Sequence, residues 1–444
     1  MSANTTTTAK SDGTGPAAPH SHNIRDSTTD PRDFLVSQCP PAGTAVEPTQ
    51  ALINQGFAKP DKYGDNLPLL FTPLKLRNLT LRNRVVLSPM CQYSCEDGFV
   101  TDWHLVHLGG FAVRGTGLIM TEATGVLPNG RITPYCAGLW KDEHIAPWER
   151  VVKFVHSQGA PIGIQLAHAG RKASTFPLFF PASREAASPR EGGWTEGQGS
   201  SADTVWGPTD EPWGPHGMSQ PHAMTLAEIE EVKLAFRDAA GRAAKAGFDV
   251  IEIHAAHGYL LHSFLSPISN RRTDHYGGSF ENRVRLLLEI IAAIRSVWSD
   301  EKPLFVRVSA TDWVEGEGWD SGQTIQLAQC LANLGTVDLF DVSTGGNTPR
   351  QKISAGPLFQ VPFSAQIKQA VPSSKLRTGT VGIITKGQEA EEILQKGEAD
   401  LIILGRAFLR DPSWVLRAAH ELGVYVEWPQ QYIRGRPKLY YPTF

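Results

Sequence analysis

Eight short apolar runs spread over residues 85–405 constrain this chain more than any other feature. They fall at 85–89, 118–122, 162–166, 249–254, 304–309, 339–343, 375–379 and 401–405. Buried parallel strands read as near-continuous apolar runs because both of their faces are covered. From the fourth run onward, amphipathic helices fill the intervals. Thr225-Leu226-Ala227-Glu228 is a capping box, a hydroxyl at the N-cap answered by a carboxylate three residues on. Behind it Ile229, Val232, Phe236 and Ala240 recur at helical spacing, and Gly247 supplies a stop. Residues 280–298 likewise place Val284, Leu287, Leu288, Ile291 and Ile294 on one face. Strand–helix alternation carried through all eight runs predicts an α/β fold, the parallel (β/α)8 TIM barrel. A doubly wound sheet would carry a Gly-rich fingerprint in its first turn, and no G-x-G-x-x-G follows any run.

Barrels of this kind keep their chemistry just past the carboxyl ends of the strands. Chemistry-bearing residues cluster there in this chain. The first run ends in Ser88-Pro89-Met90-Cys91 with Tyr93 behind, the second in Glu122-Ala123, and the third carries Gln165 with His168 and Arg171 following. After the fourth come His254, His257 and Tyr259. Two imidazoles three residues apart on one turn can converge on a single substrate oxygen, with a phenol beside them as proton donor. Arg307 lies in the fifth run, where a cation is costly unless an anion or ligand pairs with it. Gln165 offers an amide that both donates and accepts, suited to the edge of a heterocycle. Gly379 and Gly382 near the end of the seventh run, and Gly405-Arg406 after the eighth, form loops whose amides can approach a phosphate. No third ligand stands at a recognisable spacing from the histidines, so no metal site is expected.

Composition bounds the setting. A formal net charge of −3 over 444 residues gives no bias toward nucleic acid. Five scattered cysteines, an odd number, fit a reduced, cytoplasmic protein better than a disulfide scaffold. No apolar stretch approaches the roughly 18 residues of a membrane span. Residues 1–65 begin with a Thr-, Ser-, Gly- and Pro-rich stretch that cannot bury enough surface to offset its ordering, and they are expected to form a disordered extension. The barrel is expected over 66–436, interrupted by a long irregular loop or lid at 174–224 and followed by a short tail, 437–444.

Three runs carry a likeness to a known family. Ser88-Pro89-Met90-Cys91-Gln92-Tyr93, Gln165-Leu166-Ala167-His168-Ala169-Gly170-Arg171-Lys172 and His254-Ala255-Ala256-His257-Gly258-Tyr259-Leu260 resemble the old yellow enzyme family, in particular its thermophilic-like FMN-dependent ene-reductases. The stretch 265–279 adds to the likeness, which covers residues 70–436. The resemblance implies an NAD(P)H-dependent flavin oxidoreductase that reduces activated C=C bonds of α,β-unsaturated carbonyl or nitro compounds. It implies that Ser88, Pro89, Met90, Cys91, Ala123, Gln165 and Arg307 line FMN, with Arg307 near the N1–C2 carbonyl edge of its ring. Gly382, Gly405 and Arg406 would hold the phosphate. His254 and His257 would take the substrate oxygen, Tyr93 would reach the same atom, and Tyr259 would donate the proton. Arg434 would enter a neighbouring subunit's site, which implies a homodimer or a multiple of dimers. Two features depart from the pattern, the long 174–224 loop and the segment before Leu67.

Two other classes compete. A flavin-free phosphate-binding barrel, an aldolase or isomerase, would want a lysine or carboxylate at a strand end, for which Glu122 is the candidate. A pseudo-enzyme that only binds a ligand or partner could use the long loop for binding.

Overall fold

A computed structural model describes residues 40–46, 67–183, 185–194, 204–214 and 218–437. Its centre is a closed barrel of eight parallel strands in the order β10-β11-β12-β3-β4-β5-β8-β9. These strands are β3 (Val85–Leu87), β4 (Leu118–Gly125), β5 (Ile162–Ala167), β8 (Val250–Ala255), β9 (Leu304–Ser309), β10 (Leu339–Ser343), β11 (Arg377–Thr380) and β12 (Leu401–Leu404). Each matches one predicted run to within a few residues. Gly379 is the exception in role, lying inside β11 rather than in the turn after it. Two further pairs stand outside the barrel: the hairpin β1 (Leu74–Leu76) with β2 (Leu79–Leu81), and the short β6 (Trp206–Gly207) with β7 (His222–Ala223).

Helices α1 (Asp102–Ala112), α2 (Ile145–Ser157), α3 (Leu226–Ala246), α4 (Leu260–Leu265), α5 (Phe280–Arg295), α6 (Ser321–Leu334), α7 (Val361–Ala370), α8 (Gly387–Gln395), α9 (Arg406–Arg410) and α10 (Trp414–Glu421) follow the strands. Helix α3 starts and stops where its sequence dictates. The Thr225 hydroxyl accepts from the Glu228 amide at 3.2 Å, and Gly247 closes the helix in the left-handed conformation. Its buried stripe of Ile229, Val232, Phe236 and Ala240 packs on the barrel's outer wall.

Inside the barrel, the period of two along each strand stacks side chains in layers. The lowest layer is apolar: Val86, Val250, Phe305, Leu339 and Ile403 meet Leu74, Leu76 and Leu81 of the β1–β2 hairpin, which plugs that end. Two residues further along the strands come Gln165, Glu252, Arg307 and Asp341, all buried. Two further still come His254, Ser309 and Ser343, at the mouth. Apolar floor, charged middle and reactive top follow from a single alternation.

The expected extension over 1–65 lies outside the described residues except for 40–46. Those residues run across the plugged end: Ala45 bridges Val426, and the Asn83 side-chain amide donates to the Gly43 and Gly115 carbonyls at 3.1 and 2.9 Å. The tail 437–444 also lies outside, apart from Pro437. Within 174–224 the described residues are irregular save for β6, β7 and one 3-10 turn, Pro189–Glu191. No helix among the described residues is long and apolar enough to cross a membrane.

Candidate active site

The turn after β8 is built to aim two imidazoles. His254 Nδ1 accepts the Ala256 amide at 3.3 Å, which leaves its proton on Nε2. That Nε2 faces His257 Nδ1 at 3.4 Å, and His257 Nε2 lies 2.7 Å from the Ser343 hydroxyl. If Ser343 donates to Nε2, the His257 proton sits on Nδ1, and both rings then offer a hydrogen to one shared point. Burial, reinforced by the Arg307 charge, holds both imidazoles well below their ordinary pKa, so both are neutral donors.

His257 has φ of 60°, a conformation that costs an ordinary side chain about 1–2 kcal/mol. Surrounding side chains hold it there. The His257 amide donates to Ser309 Oγ at 2.9 Å, the Gly258 amide to His262 Nδ1 at 2.9 Å, and Lys172 Nζ to the His257 carbonyl at 2.8 Å. His262 is braced in turn by Asp312, 3.1 Å from its Nε2, with both residues fully buried. The turn also touches backbone directly: a Cβ on Gly258 would fall 2.3 Å from the Gly346 carbonyl oxygen. Tyr259 stands edge-on to His254 with ring centroids 5.0 Å apart, and the Lys172 ammonium lies 5.0 Å above its ring. Burial raises the Tyr259 phenol, which therefore stays protonated until a strong base appears.

On the opposite wall, Ser88 Oγ accepts from Arg307 Nη1 at 3.1 Å, which brings β3 and β9 together across the mouth. Glu122 has both oxygens committed. One takes the His104 Nε2 proton at 2.9 Å and the other accepts the Gln92 amide at 3.1 Å. It fixes the segment that presents Cys91 and Tyr93, so the strand-end carboxylate that an aldolase or isomerase would need is already in use. A hydrogen bond with the Cys136 thiol, then burial, push the Cys91 thiol well above its ordinary pKa. Ala123 is buried at a register shift in β4, next to Gln165 on β5.

The loop after β12 meets Ser88 and Met90. A Cβ on Gly405 would lie 3.7 Å from Met90 Sδ and 3.9 Å from Ser88 Cβ. Gly382 has φ of 135°, and Arg406, at the start of α9, is exposed. Above the mouth, a cleft of ≈ 270 Å³ is lined by Tyr93, Lys172, Tyr259 and Gln351, with Phe176 and Trp213 from the 174–224 loop.

Of the residues picked out by sequence, His168 and Arg434 stand apart. His168 is buried and stacks on Trp206 with ring centroids 5.6 Å apart, a packing role. Arg434 is exposed in the turn Gln430–Gly435, whose Tyr432 ring lies 5.3 Å under Arg114. Arg114 follows the last turn of α1, at the plugged end, so Arg434 does not reach its own chain's mouth. Sequence reading passed over Glu252, Asp341, Ser309 and Ser343. They stand at every second position inside otherwise apolar strands, a local pattern that does not itself name their partners across the barrel.

The chain is similar to known proteins over most of its length. A profile described as the NADH:flavin oxidoreductase / NADH oxidase family matches residues 69–424. An NADH:flavin oxidoreductase of Gibberella zeae is 49% identical over 419 residues, spanning 91% of this chain and 94% of that protein. The NADPH dehydrogenase of Geobacillus thermodenitrificans is 45% identical over 374 residues, spanning 83% of this chain and 98% of its own. Morphinone reductase solved in complex with tetrahydroNAD is 29% identical, with a TM-score of 0.62 over 85% of this chain and 98% of that one.

Proposed function

The chain belongs to the NADH:flavin oxidoreductase / NADH oxidase family, of old yellow enzyme type, and from that premise we propose that it is an ene-reductase acting on α,β-unsaturated carbonyl or nitro compounds. As a member of this family it is an NAD(P)H-dependent flavin oxidoreductase whose cofactor is FMN. The residues at the mouth fit that group. Arg307 Nε is buried without a hydrogen-bond partner among the described residues, and Gly405, where a Cβ would come no closer than 3.7 Å to Met90 Sδ, leaves room next to the exposed Arg406. In this reading Gly382, Gly405 and Arg406 hold the phosphate. Ser88, Pro89, Met90, Cys91, Ala123, Gln165 and Arg307 line the ring. When bound there, FMN would supply the hydride chemistry between NAD(P)H and the substrate that no side chain can provide.

The protein's own residues do the rest. His254 Nε2 and His257 Nδ1 donate to the carbonyl or nitro oxygen and stabilise the negative charge that develops there, the logic of an oxyanion hole. Tyr93 reaches the same oxygen from the cleft wall. Tyr259 gives its phenolic proton to the α carbon, and the Lys172 ammonium above its ring stabilises the phenolate left behind. The convergence of the two imidazoles on one point, backed by Ser343, carries this reading. Arg434, remote from its own mouth, serves a neighbouring subunit's site in a homodimer or a multiple of dimers. The described cysteines are free thiols, which supports a cytoplasmic setting.

Tyr259→Phe tests the assignment by stopped flow. Flavin reduction by NAD(P)H needs no proton from the phenol and should keep its rate. Reoxidation by an enone should slow by about 10²–10⁴, the usual worth of a positioned acid. A nitroalkene should suffer less, because its nitronate product can be protonated later by water. Reoxidation by cyclohexenone at the parent rate would remove Tyr259 from the mechanism.

A further inference from the structure

The middle layer of the barrel holds two acids and one base. Glu252 and Asp341 are 1% and 0% exposed and point into the barrel from β8 and β10, on either side of the strand that carries Arg307. Gln165, adjacent on β5, donates to Glu252 Oε1 at 2.7 Å. Arg307, adjacent to Asp341 on β9, brings Nε to 3.3 Å from Asp341 Oδ2 without the alignment of a hydrogen bond, and its Nη1 is turned to Ser88. On the other flank of Asp341, β11 contributes Gly379, which has no side chain. One layer up stands His254, a neutral ring. No donor among the described residues satisfies either Asp341 oxygen unless Glu252 carries a hydrogen.

Charge counting decides between the arrangements. With both acids ionised, two buried carboxylates would face each other and one negative charge would lack a counter-ion, a costly state in a low-dielectric interior. A single proton on Glu252 removes the repulsion, supplies the donor that Asp341 lacks, and leaves one anion for one cation. We propose that Glu252 and Asp341 hold one proton between them at neutral pH, and that this proton sets the net charge Arg307 presents to the cofactor. The second half rests on the reading above that places Arg307 at the flavin ring. Glu252 and Asp341 are thus positioning residues, acting through Arg307 rather than on substrate.

Burial first, and the Asp341 charge second, push the Glu252 carboxyl up to about 8. Below that pH the layer is neutral overall: Arg307 positive, Asp341 negative, Glu252 uncharged. As pH rises through that value the proton leaves to solvent and the layer becomes net negative. Added electron density on the ring is then less well stabilised, and the flavin becomes harder to reduce.

The FMN midpoint potential of the holoenzyme, measured against redox dyes from pH 6 to 10, tests the idea in the wild type and in Glu252→Gln. The glutamine keeps the shape and a donor for Asp341 but has no proton to lose. The two potentials should coincide at pH 7 and diverge above pH 8, the wild type falling more steeply. Infrared spectra should show the carbonyl stretch of a neutral carboxylic acid in the wild type at pH 7. That band should be absent from Glu252→Gln and lost from the wild type at high pH. Potentials that already differ at pH 7, or a high-pH bend kept by Glu252→Gln, would overturn the proposal. Should the variant fail to bind FMN, the wild-type infrared titration decides alone, and no acid band at pH 7 sinks the shared proton. A band present beside identical potentials would overturn the link through Arg307. An enzyme whose flavin NAD(P)H reduces but enones cannot reoxidise would refute the ene-reductase reading and leave the shared proton intact.

Discussion

In the proposed mechanism Ser343 sets which nitrogen of His257 carries the proton, through one contact at 2.7 Å. Replacing it with alanine frees His257 to flip its proton onto Nε2 and withdraw one donor. Ser343→Ala should therefore slow reoxidation by enones about tenfold, roughly the 1–1.5 kcal/mol of one hydrogen bond, and leave reduction by NAD(P)H unchanged. Equal losses in both half-reactions would show a general disturbance instead. The same pair makes a pH forecast. Burial depresses both imidazoles, so their neutral form persists far below 6.5. The acceptor half-reaction should show no inflection near that value, and a rate that rises on protonation there would contradict the neutral pair. The sign for stability follows. A depressed histidine stabilises the fold above its unfolded pKa, and that contribution is lost as pH falls through 6.5 toward the folded value. Thermal unfolding midpoints should accordingly drop on acidification from pH 7 to 5.

At the level of elements, the turn after β8 and the loop after β10 interlock through two glycines. A Cβ on Gly346 would sit 2.6 Å from His257 Cα, and Gly346 itself has φ of 91°. Gly346→Ala should displace His257 and abolish acceptor-dependent turnover while FMN remains bound, which absorbance and single-turnover traces would separate. Retained turnover would mean the two loops can move apart. Elements such as α3 and the barrel strands were legible in the sequence because their signals are local: a capping box, a helical stripe, runs apolar on both faces. His254, His257 and Tyr259 were legible because they crowd one turn. Glu252, Asp341 and Ser343 were not, because each gains its meaning from a partner dozens of residues away. Closure of the barrel supplies that adjacency, and no short window contains it. Segment 40–46 was missed for the same reason, being held by Asn83 and by residues 425–427 rather than by anything near it in the chain.

For the whole molecule, the position of Arg434 turns quaternary structure into a testable matter of geometry. If the proposed homodimer holds, Tyr259→Phe and Arg434→Ala should impair its sites in different ways. In a mixed dimer, the subunit that keeps Tyr259 can receive Arg434 from its companion. Unfolding and refolding the two variants together should therefore yield more activity toward enones than either alone. A mixture no better than its parts would place Arg434 outside the neighbouring site. The β1–β2 hairpin has a consequence for traffic. Leu74, Leu76 and Leu81 cover the apolar floor formed by Val86, Val250, Phe305, Leu339 and Ile403, so the barrel offers ligands its mouth and not its far end. The nicotinamide and the electron acceptor must then queue for one doorway, each leaving before the other enters. Steady-state plots at several reductant concentrations should run parallel, and oxidised nicotinamide should compete with the acceptor for the emptied seat.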